Sequence, residues 1–247
     1  MKKTCLFLSL GLLCSAFMIG CNKSTTSTTP SSSAPTVTTP SDADGAMAAV
    51  QVITTQTVAG FTIPINIGTA VAWFGSASSY KDAGNVSCAT NALTKSNNAY
   101  VFQPSQSSPQ GITFSSNVTW DVTGNTGNGI SAFNYSDNST FPSLSDINNS
   151  GTVSAAGSFT LSATSAVYGD SVIFVVAGSQ KHISYIAGPN ISSHTFSAAE
   201  MATVGASGNN TGLLQIAPYI VNHQTINSKS YYFVKETCVS KFVTITN

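Results

Sequence analysis

Asn117-Val118-Thr119-Trp120-Asp121-Val122 is the stretch that decides the fold class. Polar and apolar residues alternate with period two, so an extended chain puts Val118, Trp120 and Val122 on one face and the polar residues on the other. A helix would scatter the same side chains around its circumference. Runs rich in β-branched and aromatic residues recur on both sides. Upstream, residues 51–58, 61–67 and 69–74 read as strands broken at Gly60 and Gly68, while 86–89 and 99–102 flank an Asn- and Ser-containing turn, as a hairpin would. Downstream, 158–162, 171–177, 182–187, 194–196, 213–219, 231–236 and 242–245 are short strand signals within roughly 100 residues, the density of an immunoglobulin-like sandwich.

Within that second half, Val172-Ile173-Phe174-Val175-Val176 is apolar on both parities and reads as a central strand covered on both faces. Ser197-Ala198-Ala199-Glu200 has capping-box spacing and predicts one turn of helix. Between the halves, residues 123–151 carry Gly124, Gly127, Gly129, Pro142 and many Asn, which reads as a connection interrupted by a short strand near 130–135. The expected architecture is all-β, with two β-sandwich-like domains at 45–142 and 143–247, the C-terminal one immunoglobulin-like.

Composition narrows the function classes. Among 247 residues there are 9 Lys, no Arg and 9 Asp or Glu, a charged fraction of 7% where about a quarter is usual. Ser and Thr number 68 and Asn 19, so solubility rests on hydroxyls and amides. Net charge zero excludes nucleic acid as a partner, because neutralising phosphates takes clustered cations. A 42% hydrophobic content excludes a wholly disordered chain.

The first 20 residues read as a lipoprotein signal peptide. Lys2 and Lys3 precede an apolar run from Leu6 to Met18, too short to span a bilayer comfortably. It ends in Met18-Ile19-Gly20-Cys21, which resembles a bacterial lipobox and marks Cys21 for lipidation. Residues 21–44 then form a Ser/Thr/Pro linker with no aromatic residue, expected to be disordered. With Pro30, Pro35 and Pro40 stiffening it, about 3 Å per residue gives a reach of about 70 Å. Asn22 lacks the Asp of inner-membrane retention, and no acidic pair follows Cys21, so the expected location is the outer membrane with the head facing the periplasm rather than the cell surface. After the leader, Cys88 and Cys238 are the cysteines left in the head. In an oxidising compartment a disulfide between them and two free buried thiols both stay open.

The phrases Gly169 to Val176, FSAAEM from Phe196 to Met201, GLLQIAPY from Gly212 to Tyr219, and SYYFVKETCVSKFVTI from Ser230 to Ile245 resemble a group of uncharacterised cell-envelope lipoproteins from Bacteroidota. The resemblance implies a β-sandwich head and an envelope habitat and carries no catalytic signature.

Chemistry-bearing motifs are sparse. HExxH, CxxC and a helical His pair are absent, so no zinc site and no cofactor are expected. Gly169-Asp170-Ser171 looks like the GDS block of one esterase family but precedes the most apolar strand, and no Asp lies three before His223; a turn into a strand is the expectation. Asp170-Ser171-Val172 also resembles an O-glycosylation motif used across Bacteroidota, although a Ser opening a core strand is a poor acceptor. Asp146, Asn148 and Ser150 match the first half of a calcium loop, but position twelve is Gly157, so an ordinary Asn/Gly turn is expected. Tyr and Trp residues with Asn and Ser partners suit a neutral glycan, yet Trp120 and Tyr232 have the strand parity of core residues.

The sequence therefore points to a non-enzymatic, lipid-anchored envelope protein with a structural, adhesive or neutral-ligand-binding role. Its partners would be the membrane and a neutral glycan or envelope protein. The alternatives are a pilus or surface-layer subunit, and a hydrolase built around Asp170, His182 or His223.

Overall fold

The computed structural model describes residues 42–58, 61–76, 79–149 and 151–247. The leader, Cys21 and the linker as far as residue 41 lie outside these, as does Ser150. The described chain is all-β apart from one short helix and a 3-10 turn, and its contacts form two units. One takes the residues up to Pro142 together with Tyr219–Thr237, the other Ser143–Pro218 together with Cys238–Asn247.

The first unit contains β1 (Gly45–Val58), β2 (Phe61–Ser76), β3 (Ser79–Tyr80), β4 (Val86–Cys88), β5 (Asn91–Ala92), β6 (Thr94–Ser96), β7 (Ala99–Phe102), β8 (Val118–Val122) and β9 (Phe133–Asp137). The second contains β10 (Thr152–Ser154), β11 (Phe159–Ser162), β12 (Ser171–Ala177), β13 (His182–Ala187), β14 (Ser193–Phe196) and α1 (Ala198–Ala202). The last strands, β15 (Ser207–Ile226) and β16 (Lys229–Thr246), contribute residues to both units. Two consecutive domains were the expectation; residues 219–237 depart from it because the last two strands are 20 and 18 residues long.

In the first unit, β16-β1-β2-β7-β6 form one sheet and β5-β4-β8-β9 another. The period-two alternation of residues 117–122 is realised in β8: Val118, Trp120 and Val122 are buried, and Asp121 is exposed. They meet Met47, Phe74, Tyr231 and Phe233 in one core. Phe74 sits edge-on to Tyr100 at 5.8 Å and to Tyr231 at 6.2 Å, contacts worth about 0.5–1.5 kcal/mol each beyond area burial. Tyr231, not Tyr232, holds the core position, since β16 presents its odd-numbered residues there; the Tyr232 hydroxyl donates to Asp42 instead.

Gly68 does not break the strand as expected. β2 runs straight through it, paired with Gln51 of β1. The glycine serves a close backbone approach: Gly68 N donates to the Gln110 carbonyl and Ile112 N to the Gly68 carbonyl. A Cβ on Gly68 would stand 1.8 Å from the Ile112 carbonyl oxygen. The expected hairpin between 86–89 and 99–102 is also replaced by two shorter ones. β4 turns into β5 through Ala89 and Thr90 (φ 46° and 66°), and β6 into β7 through Asn97 and Asn98 (φ 49° and 60°). Left-handed values at both central residues define the type I′ turn that matches strand twist. Residues 123–142, read as part of a connection with a short strand near 130–135 and placed within the domain at 45–142, belong to the first unit, where that strand is β9 and completes the second sheet.

In the second unit the order is β13-β12-β15-β16, with β10 adding in parallel to β16 and β11 pairing with β14 separately. Val172, Phe174 and Val176 are fully buried, whereas Ile173 and Val175 are only partly covered. β12 is thus covered chiefly on one face, one strand in from the end of its sheet, and not on both as its composition suggested. The segments expected as separate strands at 231–236 and 242–245 are one continuous β16. The capping box forms as expected: Ser197 Oγ accepts from Glu200 N, and Glu200 Oε2 accepts from Ser197 N at 2.8 Å.

Candidate functional site

The most buried polar constellation of the first unit joins the end of β9 to β16. Strand parity sends Lys235 to the same face as Phe233, and the side chains of Lys235 and Asp137 are 1% and 4% exposed. The Lys235 ammonium lies 3.3 Å from Asp137 Oδ1 and donates to the carbonyls of Ser116 (2.7 Å), Asp137 (3.0 Å) and Ser139, with the Phe141 ring 5.3 Å away. Asp137 Oδ1 accepts from Ser139 N and Oγ, and Oδ2 from Asn222 Nδ2 at 2.8 Å. Burial alone would raise the Asp137 carboxyl, but the Ser139 and Asn222 hydrogen bonds and the Lys235 charge hold it below the usual carboxylate range. Burial pulls Lys235 below the usual lysine range, against the pull of Asp137. An ammonium surrounded by four acceptors is a poor nucleophile or base, so the chemistry of this node is cross-linking of strands.

Glu236 lies on the opposite face of β16. Burial pushes its carboxyl up to about 8, and Oε1 has no hydrogen-bond partner among the described residues. It therefore holds its proton at neutral pH.

The sequence-derived candidates take structural positions. Asp146 Oδ2 faces the Lys241 ammonium at 2.9 Å, and that ammonium also donates to the Ile147 carbonyl at 2.7 Å. The Asp146 carboxylate is thus engaged in an ion pair, and Ser150 lies outside the described residues. Asn148 N donates to the Ser162 carbonyl, and Asn149 Oδ1 accepts from Gly151 N, closing an Asx turn. Gly169-Asp170-Ser171 is a turn into β12, with Ser171 only 6% exposed. That burial also argues against its glycosylation. Cys88 and Cys238 are free buried thiols; the disulfide is not formed. Cys88 pairs across from Trp120 in the core, where burial pushes its thiol up, and Cys238 Sγ accepts from Gln215 Nε2 at 2.7 Å. His223 Nε2 is 3.3 Å from Ser230 Oγ and its ring lies 4.8 Å from Tyr232. Trp73, Trp120, Tyr100, Tyr219 and Tyr231 are buried and Tyr135 and Tyr232 half-buried, while Tyr80, Tyr168 and Tyr185 are the exposed tyrosines among the described residues.

In the second unit, an open depression of about 430 Å³ runs beside Lys181, His182, Ile183 and Ser184 and is bounded by Ala199, Glu200 and Thr203. It is built by the β12–β13 turn, the first half of β13, and α1. Gln180 N and Lys181 N both donate to the Val204 carbonyl just beyond the helix, which fixes the turn to it. Burial and the neighbouring Lys181 lower His182. The Tyr185 ring stacks on His194 at 3.7 Å, closing the interior beside the strand. Among the candidates raised from sequence, only His182 borders this groove. The rest of it comes from β13 ending its sheet next to a helix, which no residue-type motif encodes. Comparison with known protein-family models and with curated proteins finds no match for the chain.

Proposed function

We propose that the chain is a cell-envelope lipoprotein, acylated at Cys21 in the outer membrane, whose β head serves a non-enzymatic structural or recognition role, with an immunoglobulin-like C-terminal part. The observation that carries this reading is the sequence Met18-Ile19-Gly20-Cys21 followed by a Ser/Thr/Pro linker that ends where the all-β head begins. The use of charge supports it. Asp44, Asp82, Asp137 and Asp146 each face a lysine, and the Glu200 carboxylate caps α1, so much of a small acid-base inventory is spent on folding. The test is metabolic labelling with an alkyne fatty acid followed by detergent phase partition of cells expressing the full chain. Wild type is expected to incorporate label and enter the detergent phase, and Cys21→Ser to do neither. Equal partition of both would sink the anchor. Protease shaving of intact cells reports the side: survival of the head is expected for a periplasmic orientation.

A further inference from the structure

Among the described residues β13 is the last strand of its sheet. Native edge strands are usually shielded by a charge, a proline or a bulge. His182–Ala187 reads HISYIA, pairs with β12 over six consecutive residues, and contains none of these. The phase of its hydrogen bonds follows from the turn. Gly178 N donates to the Lys181 carbonyl, so those two form a bonded pair, and antiparallel alternation makes Val176↔Ile183, Phe174↔Tyr185 and Val172↔Ala187 the bonded pairs within the strand. The backbone N–H and C=O groups of His182, Ser184 and Ile186 then point away from β12, along the outer edge.

Beside that edge lies the depression bounded by α1. At about 430 Å³ the depression matches a few residues of one extended chain better than a whole sheet. The electrostatics select further. Lys181 makes no ion pair with the described residues, whereas the Glu200 carboxylate is already held by Ser197 N and Oγ at 2.8 Å. Lys181 is thus a cation of the groove with no carboxylate within 4 Å among the described residues, while the Glu200 carboxylate stays fixed at the start of the helix.

We propose that the groove between β13 and α1 binds an extended peptide of a partner protein by strand addition, with an acidic residue of that peptide opposite Lys181. The ligand main chain pairs with His182, Ser184 and Ile186, and its alternate side chains fall on the Ile183 side and the Ser184 side of the strand. This rests on reading the head as a recognition module. The labelling test above reports anchoring alone, so the two can fail separately.

The test pans a random linear dodecapeptide phage library against the full-length protein in detergent and measures the enriched peptides by fluorescence anisotropy. Enriched peptides are expected to place Asp or Glu beside a β-branched run. Ser184→Pro removes an outward N–H without taking a bond from the β12 ladder and is expected to weaken binding at least tenfold. Ala199→Trp, on the exposed face of α1, fills the groove and is expected to do the same; it decides the matter should the proline variant fail to fold. Lys181→Glu is expected to cost several-fold, and bound peptide to slow hydrogen exchange at His182, Ser184 and Ile186. Failure to enrich any peptide, or binding indifferent to Ala199→Trp, overturns the proposal. So does a homodimer, seen by light scattering, that Ser184→Pro dissolves, because the occupant would then be a second copy.

Discussion

At the scale of single residues, the two ionisable groups adjacent on β16 behave oppositely, and both are open to measurement. Lys235→Ala leaves Asp137 buried without its cation and three carbonyls without a donor, a loss of about 3–5 kcal/mol in chemical denaturation. Lys235→Met keeps the volume yet strands the same acceptors, so it too is expected to destabilise, though by less. Asp137, whose folded-state carboxyl is held low, contributes stability above its unfolded pKa that is lost as pH falls through the folded value. Glu236 has the opposite sign. Between an ordinary 4.5 and about 8 the folded chain keeps a proton that the unfolded chain has released, so stability declines as pH climbs through that window. Glu236→Gln is expected to match wild type near pH 4 and to exceed it by on the order of 4 kcal/mol at pH 8. Parallel thermal melts of both proteins across that range check it; a constant difference between them would remove the buried proton from the account.

At the scale of elements, the turns and close approaches carry the tests. Ala89 and Thr90 occupy left-handed positions of a type I′ turn that Asn-Gly fills at least strain, and the Asn91 side chain compensates by donating to the Ala89 carbonyl at 2.7 Å. Replacing Ala89-Thr90 by Asn-Gly is expected to raise stability by about 1 kcal/mol in urea titration, whereas Gly68→Ala forces β2 away from Ile112 and is expected to lower it by several times that. These positions also show where sequence legibility stops. β8 was readable because one buried face imposes alternation, and the Ser197–Glu200 cap because its hydrogen bonds are local. Gly68 looked like a strand break since its reason, Gly111 crossing nearby, lies far away in sequence. The I′ turn at Ala89-Thr90 carries none of the usual residues and was invisible. β12 looked covered on both faces because apolar composition does not say how near a strand lies to the end of its sheet. The groove beside β13 escaped for the same reason: an open edge is a property of strand order, and strand order is non-local.

At the scale of the whole molecule, residues 219–237 decide what can fold alone. A fragment ending at Pro142 corresponds to the first domain expected from sequence, but it lacks Lys235 for Asp137, Tyr231 and Phe233 for the aromatic core, and Ser230 and Lys229 for Asp44. Losing two buried aromatics, each worth about 3–5 kcal/mol when truncated, together with the buried ion pair, is as large as the total stability of about 5–15 kcal/mol typical of a domain. Residues 42–142 expressed alone are therefore expected to show poorly dispersed NMR amide signals and no cooperative melt. A fragment of residues 143–247 keeps every described residue grouped with its own unit, including Val172, Phe174, Phe196 and Val243 in its interior. It carries 219–237 as excess strand and is expected to retain a cooperative transition. Adding a peptide of residues 219–237 to the first fragment is expected to restore dispersion at least in part. A well-dispersed spectrum from 42–142 alone would show that the last two strands are dispensable to that core, and the division of the chain would return to two consecutive halves.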